Sequence, residues 1–457
     1  MSLRFLTRSL SAPHAGPVRI GNLSATRVLL PAMATHWHHQ IRSITNTAAQ
    51  PSNNIQEATT IVSTRIDADN LHVKWQPLAT ATTVNESNYS YVWLRDNCQC
   101  GQCVHPSNRQ KLHSTADVPL DIQPVSVTLK DSVAEVVWNM PLRHQQQGEQ
   151  HVSQYPIEWL QRYASRENSE FYRFNHIQHR TWEAQDYKLK WISYDDYMNT
   201  DQGLHQVVQR LYNSGLVFLD NVPLNDDSVT KVAERIGPVQ ETFYGRDFDV
   251  KSIANSRNIA YTSLYLGFHM DLMYLDCPPG IQLLHSLKNS VTGGSSIFVD
   301  SYHAAKILKE QHPEDYEILT KTPVTFHYVN DGHHMYYRRP TIVVGEDESS
   351  GPAWNMHVNY APPFQGPMDH LSAKDAKRFY QAFQRFADVV EDPNLRYELT
   401  LQPGQLVLFA NRRVLHGRTE FDPTSGDRHL KGTYLTLDSL KDKLRVLCEK
   451  YGFDSSV

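Results

Sequence analysis

No apolar run in the 457 residues approaches the ~18–20 needed for a membrane-spanning helix, which excludes an integral membrane role of that kind. Charge imbalance is small. With 44 Lys and Arg against 49 Asp and Glu, the net charge is −5, and the basic face of a dedicated nucleic-acid binder is not expected. Cysteine is scarce: there are five, and three crowd into Cys98-Gln99-Cys100-Gly101-Gln102-Cys103. That pattern does not suit a disulfide framework spread through a secreted chain and points to metal ligands. P-loop, GxGxxG, HExxH and GxSxG motifs and internal repeats are also missing, so nucleotide-binding, metalloprotease and serine-hydrolase readings have no support. What is present, 40% hydrophobic and 20% charged residues, is ordinary globular composition suited to small-molecule chemistry.

Acidic residues are absent before Glu57, while Arg4, Arg8, Arg19, Arg27 and Arg42 are scattered among Ser and Thr. This transit-peptide pattern predicts a presequence or disordered tail over 1–58 and import into the mitochondrial matrix, with a cytoplasmic location as the alternative. From about 59 to 168 the segments LHVKWQP, YVWLRD and AEVVWNMP alternate and read as strands, closed by a helix over 156–165. From about 180 to 450 come the strand-like runs GLVFLDNV, PPGIQLLHSL, SSIFVDS, PVTFHYV, QLVLFA and KGTYLTLD, with amphipathic helices over 301–311 and 372–390. Many strands, few helices and no regular βαβ alternation predict a mainly β fold, a barrel or sandwich with flanking helices.

Cys98, Cys100 and Cys103 can wrap one structural zinc ion if a fourth ligand closes the tetrahedron, and His105, His113, His144 and His151 are the candidates. Cys277 and Cys448 are isolated and expected to be packed. In the second constellation His269 and Asp271 stand two apart, so that on a strand or at its end both side chains face one way. His416 follows the apolar run 406–410, and two His with one carboxylate form the facial triad of non-haem Fe(II) oxygenases. Arg428 lies twelve residues past His416, and Ser296 closes Gly293-Gly-Ser-Ser. A guanidinium and a hydroxyl there can grip the distal carboxylate of 2-oxoglutarate while its other end chelates iron.

WLRDNCQCGQC, RIGPVQETFYG, NIAYTSLYLGFHMD, PPGIQLLHSLKNSVTGGSS and PGQLVLFANRRVLHGR with RHLKGTY carry a resemblance over about 60–450. They are similar to the gamma-butyrobetaine and trimethyllysine dioxygenase family of Fe(II)/2-oxoglutarate oxygenases. The resemblance implies a small β-rich zinc-binding domain over 59–168, with Cys98, Cys100, Cys103 and His151 as ligands. It implies a C-terminal double-stranded β-helix, or jelly roll, of the TauD-like kind over 180–450. There His269, Asp271 and His416 would hold iron and Arg428 the 2-oxoglutarate, with ascorbate supporting activity and a homodimer as the assembly. Partners would be O2 and a small trimethylammonium carboxylate, with no nucleic acid and no membrane insertion.

By the same resemblance Tyr244, Phe248, Tyr261 and Tyr434 fall on an aromatic cage for the trimethylammonium group, where a cation–π contact is worth ~0.5–2 kcal/mol. Phe248 stands where the family usually has Trp. Leu272 replaces an aromatic hydroxyl, and Ala410 and Arg412 alter the usual Asp-Asn-Trp. Neutral amides at Asn258 and Asn359 suit a bare carboxylate, whereas trimethyllysine also carries an ammonium that wants an acid. These residues favour hydroxylation of gamma-butyrobetaine at C3 to give carnitine. The alternatives are trimethyllysine, another betaine or carboxylate, or a non-catalytic jelly roll whose zinc unit recruits partners.

Overall fold

The computed structural model describes residues 61–76, 86–130, 132–143, 150–173, 179–251, 262–344 and 356–452. All lie in the compact unit Ser52–Val457. The presequence and three of the residues considered above, His144, Asn258 and Tyr261, lie outside the described residues.

Two antiparallel three-stranded sheets build the N-terminal part: Ile61–Ile66, Asn70–Trp75 and Glu86–Ser90 form one, and Pro124–Lys130, Val133–Trp138 and Val152–Pro156 the other. The alternating set Leu71, Val73 and Trp75 meets Ala134, Val136 and Trp138 in a core completed by Tyr155 and Leu160. Period-two alternation with one buried face is what an antiparallel strand on a core requires. YVWLRD is a helix, Tyr91–Asp96, and not a strand. Ser90 caps it by accepting from Trp93 N, and Tyr91, Leu94 and Arg95 are buried at helical spacing. The helix expected over 156–165 is Ile157–Arg162.

Two sheets dominate the rest. The larger has the order Trp191–Ser193, Leu216–Asp220, Leu406–Ala410, Ile281–Asn289, Arg428–Leu435, Phe248–Lys251, and the smaller Leu266–His269, Val414–Arg418, Ser296–Asp300, Tyr397–Leu399. Neighbours pair antiparallel except for the first two strands of the larger sheet. In the strand Leu406–Ala410, Leu406 and Leu408 pack in one core with Val207, Leu211, Leu440 and Leu444, while Val407 and Phe409 join Phe218 and Phe298 in another. A strand buried on both faces reads as the continuous apolar run LVLF. Phe298 belongs to the smaller sheet, so the second core fills the space between the two sheets.

The helices Ser301–Gln311 and Ala373–Val390 form at the expected places. The sequence reading had not marked Asp201–Ser214, Ser228–Ile236 and Leu437–Tyr451, which cover the other face of the larger sheet. Among the described residues no helix is long and apolar enough to cross a membrane.

Candidate active site and metal centres

At the N-terminal site, the turn after the helix Tyr91–Asp96 brings Cys98, Cys100 and Cys103 together, with Cys103 N and Val104 N donating to Cys100 O at 3.0 and 2.9 Å. His151 sits at the mouth of the strand Val152–Pro156, its carbonyl accepting from Trp138 N at 3.0 Å. His151 Nε2 lies 3.4, 3.7 and 3.5 Å from the three Sγ atoms. A tetrahedral zinc with Zn–S of ~2.3 Å and Zn–N of ~2.05 Å sets S···N at ~3.5 Å, so the four donors suit one ion. Of the other described candidates, His105 Nδ1 faces Ser107 and His113 lies beside Asp96, and neither joins the cysteines. Fully buried Arg95 donates to Cys103 Sγ at 3.2 Å. Its charge opposes the net negative charge that three thiolates and one zinc would carry. Cys103 takes a hydrogen bond from Cys98 and faces Arg95, which hold its thiol low; the bond to Cys103 and burial push Cys98 up to about 11. Cys448 is packed as expected, but Cys277 is exposed.

The second site lies at the end of the smaller sheet. His269 ends its strand directly opposite His416, and the two rings stand 4.2 Å apart. Asp271 sits in the turn two residues on, its Oδ1 3.4 Å from His269 Nε2 and 4.0 Å from His416 Nε2. One donor atom from each lies within 4.8 Å of the others, a spacing that can hold a single metal ion.

Neighbouring groups orient all three. His269 Nδ1 is 2.9 Å from Gly267 O, so the ring donates there and keeps the Nε2 lone pair for a metal. Tyr434 Oη donates to Asp271 Oδ2 at 2.7 Å, leaving Oδ1 toward the histidines. Asn411 clamps the Asp271 backbone at both ends, accepting from its N at 2.9 Å and donating to its O at 3.0 Å. The following Leu272 sits at φ 61°, a conformation L-residues avoid and the surrounding bonds enforce. Burial raises the Asp271 carboxyl, but its bond to His269 and the charge near His416 outweigh this and hold it below the usual carboxylate range. Burial, with His269 adding to it, pushes His416 down to about 3, so the ring is neutral and ready as a ligand at physiological pH.

These groups line one pocket. Ser296 and Arg428 share its wall, together with Arg418, which was not among the candidates. Burial, with Arg418 adding to it, pushes Arg428 down to about 9, and its Nε is buried with no hydrogen-bond partner among the described residues. Arginine does not shed its proton in proteins, so these facts describe a cation lacking an anion.

Tyr244, Phe248 and Tyr434 all reach the cavity, with ring centroids 6.0 Å apart for Tyr244–Phe248 and 5.0 Å for Phe248–Tyr434. Phe248 lies across Gly432 of the paired strand, where any Cβ would collide with the ring. Tyr274 and Phe364 add to the aromatic wall and were not anticipated. Asn359 is a correction. It is fully buried away from the cavity, its Nδ2 donating to Pro340 O and its Oδ1 accepting from Arg412, both at 2.7 Å.

Known proteins are similar to this chain in sequence. The model of the "Taurine catabolism dioxygenase TauD, TfdA family" matches residues 177–434, and "Gamma-butyrobetaine hydroxylase-like, N-terminal" matches 62–161. The chain is 39% identical to "Dioxygenase str8" of Strobilurus tenacellus over 83% of this chain and 88% of that one. It is 35% identical to the "Gamma-butyrobetaine dioxygenase" of Pseudomonas sp. (strain AK-1), covering 79% and 91% respectively. The human "Trimethyllysine dioxygenase, mitochondrial" is 29% identical, with 92% and 91% covered.

Proposed function

The chain belongs to the TauD/TfdA dioxygenase family, as a 2-oxoglutarate-dependent enzyme of its butyrobetaine and trimethyllysine branch, and from that premise we propose that it hydroxylates gamma-butyrobetaine at C3 to give carnitine. In this reading His269, Asp271 and His416 hold Fe(II), Arg428 and Ser296 hold 2-oxoglutarate, and Tyr244, Phe248 and Tyr434 hold the trimethylammonium group. Cys98, Cys100, Cys103 and His151 hold zinc and brace the unit 59–168, beside the oxygenase unit 180–450. The carrying observation is that two histidines, one carboxylate and an arginine whose Nε is buried with no partner among the described residues meet in one cavity walled by aromatic rings.

With iron bound, 2-oxoglutarate and O2 supply the oxidising power to insert one oxygen atom into a C–H bond, releasing succinate and CO2. The protein does the positioning. Tyr434 fixes the carboxylate of Asp271 and Asn411 its backbone, Arg428 draws the distal carboxylate of 2-oxoglutarate into the pocket, and the ring faces fix the substrate's cationic end. Asn258 remains the amide proposed for the substrate carboxylate. The trimethyllysine alternative draws on the mitochondrial human relative and the acid-free N-terminus, which also support the proposed matrix location. A homodimer belongs to the same reading, on the resemblance alone.

The test is mass spectrometry of products after incubation with Fe(II), ascorbate, 2-oxoglutarate and O2, with gamma-butyrobetaine and trimethyllysine offered in parallel. One added oxygen on gamma-butyrobetaine, matched by succinate, is expected. Oxidation of trimethyllysine alone would overturn the substrate assignment.

A further inference from the structure

A second, smaller pocket shares no lining residue with the first. Leu211, Leu437, Leu440 and Tyr302 form its apolar wall, and the Arg412 guanidinium and the neutral His357 ring bring nitrogen groups to it. Arg413 also reaches it, but that charge is cancelled: Nε and Nη2 donate to the two oxygens of Asp300 at 3.0 and 2.8 Å, and Nη1 to Asn213 O at 2.7 Å.

Arg412 is placed differently. Its one hydrogen-bond acceptor among the described residues is the neutral amide oxygen of Asn359, and its Nε is buried without a partner. His357 Nδ1 is likewise buried without a partner. Arg339 acts on Arg412 as a like charge, opposed by Tyr302 and Cys277, while Arg412, Lys441 and Arg339 all act on His357 as cations. Among the described residues no carboxylate pairs with either. Burial, with Arg339 adding to it, pushes Arg412 down to about 10, and burial with Arg412 pushes His357 down to about 3.

A guanidinium whose Nε is buried without a partner, beside the like charge of Arg339, gains from an anion at its side. Its planar N–H edge matches the two oxygens of a carboxylate. The leucines opposite offer nothing to a fully hydrated anion but suit a short hydrocarbon tail.

We propose that this cavity binds a small carboxylate with a short apolar tail, held by Arg412 and His357 and separate from the 2-oxoglutarate position at Arg428.

Butyrate is the probe, titrated calorimetrically into the metal-loaded enzyme held anaerobic with saturating 2-oxoglutarate. One saturable site is expected, weakened at least tenfold in Arg412→Gln and in His357→Gln, and unchanged in Arg428→Ala and Phe248→Ala, which alter the first cavity. If Arg412→Gln fails to fold, by its thermal midpoint, His357→Gln decides. No saturable uptake, undiminished affinity in both substitutions, or loss of uptake in Arg428→Ala or Phe248→Ala would overturn the proposal. Uptake of inorganic phosphate with none of butyrate would overturn the assigned ligand class.

Discussion

Asp271 is the residue on which the site turns, because a carboxylate can serve a metal only if its charge and direction are settled beforehand. His269 and His416 settle the charge and Tyr434 and Asn411 the direction, and neither role of the latter two is visible in the sequence. Asn411 stands 140 residues from Asp271 and Tyr434 163 residues away, and only strand register brings them together. Tyr434 was anticipated as a ring for a cation, yet its hydroxyl serves the acid. His269, Asp271 and His416 were legible because two of them share one short motif and the third follows a recognisable apolar strand. Asn359 misled because composition says an amide is present but not that its oxygen and nitrogen are already engaged. Tyr434→Phe removes the bond to Asp271 Oδ2 and keeps the ring. Loss of such an outer partner typically costs ~10–100-fold in metal affinity. Iron titration of the Phe variant should show that weakening with the substrate requirement little changed, whereas unaltered iron affinity would mean that the hydroxyl is incidental.

At the scale of elements, alternation was a good guide where one strand face is buried and a poor one where a short helix begins. Tyr-Val-Trp-Leu satisfies period two as well as it satisfies a single helical turn, and the deciding feature is the Ser90 cap. The helix Leu437–Tyr451 was equally present in the sequence, with Leu440, Leu444, Leu447 and Cys448 at helical spacing, but it follows a strand so closely that the two merge. The capped helix matters because it delivers Arg95 and the cysteine turn to His151. If the four ligands hold zinc, the metal ties two elements more than 40 residues apart and its removal loosens the core between the two small sheets. Stripping zinc with a chelator should red-shift the emission of Trp75 and Trp138, which are buried in that core, and the metal should restore it. Emission indifferent to chelation would separate the cysteines from any structural metal.

For the molecule as a whole, the mainly β architecture was legible because residues alternating between two cores leave a continuous apolar run, and several such runs with few helices make layered sheets. The order of strands was not, since pairing of 281–289 with both 406–410 and 428–435 depends on contacts over more than a hundred residues. Buried titratable groups also tie the stability of the whole fold to pH. His285, in the strand Ile281–Asn289, is pushed down to about 4 by burial. Its folded value lies below the unfolded ~6.5, so the unfolded chain takes up a proton first. The contribution is full above ~6.5 and is lost as the pH falls toward 4. Urea midpoints should drop across that window, and His285→Leu should flatten the slope; an unchanged slope would place the acid sensitivity elsewhere.

The central claim is that one cavity holds Fe(II) at His269, Asp271 and His416 and 2-oxoglutarate against Arg428. An anaerobic titration of the Fe(II)-loaded protein with 2-oxoglutarate, followed by the visible charge-transfer absorption of an iron-bound 2-oxo acid, tests it most directly. A charge-assisted hydrogen-bond partner contributes about 1.5–3 kcal/mol. The band should therefore saturate in the native protein, require roughly ten- to hundredfold more 2-oxoglutarate in Arg428→Ala, and be absent in Asp271→Ala. A band that survives in Asp271→Ala, or one whose midpoint ignores the loss of Arg428, would contradict the account.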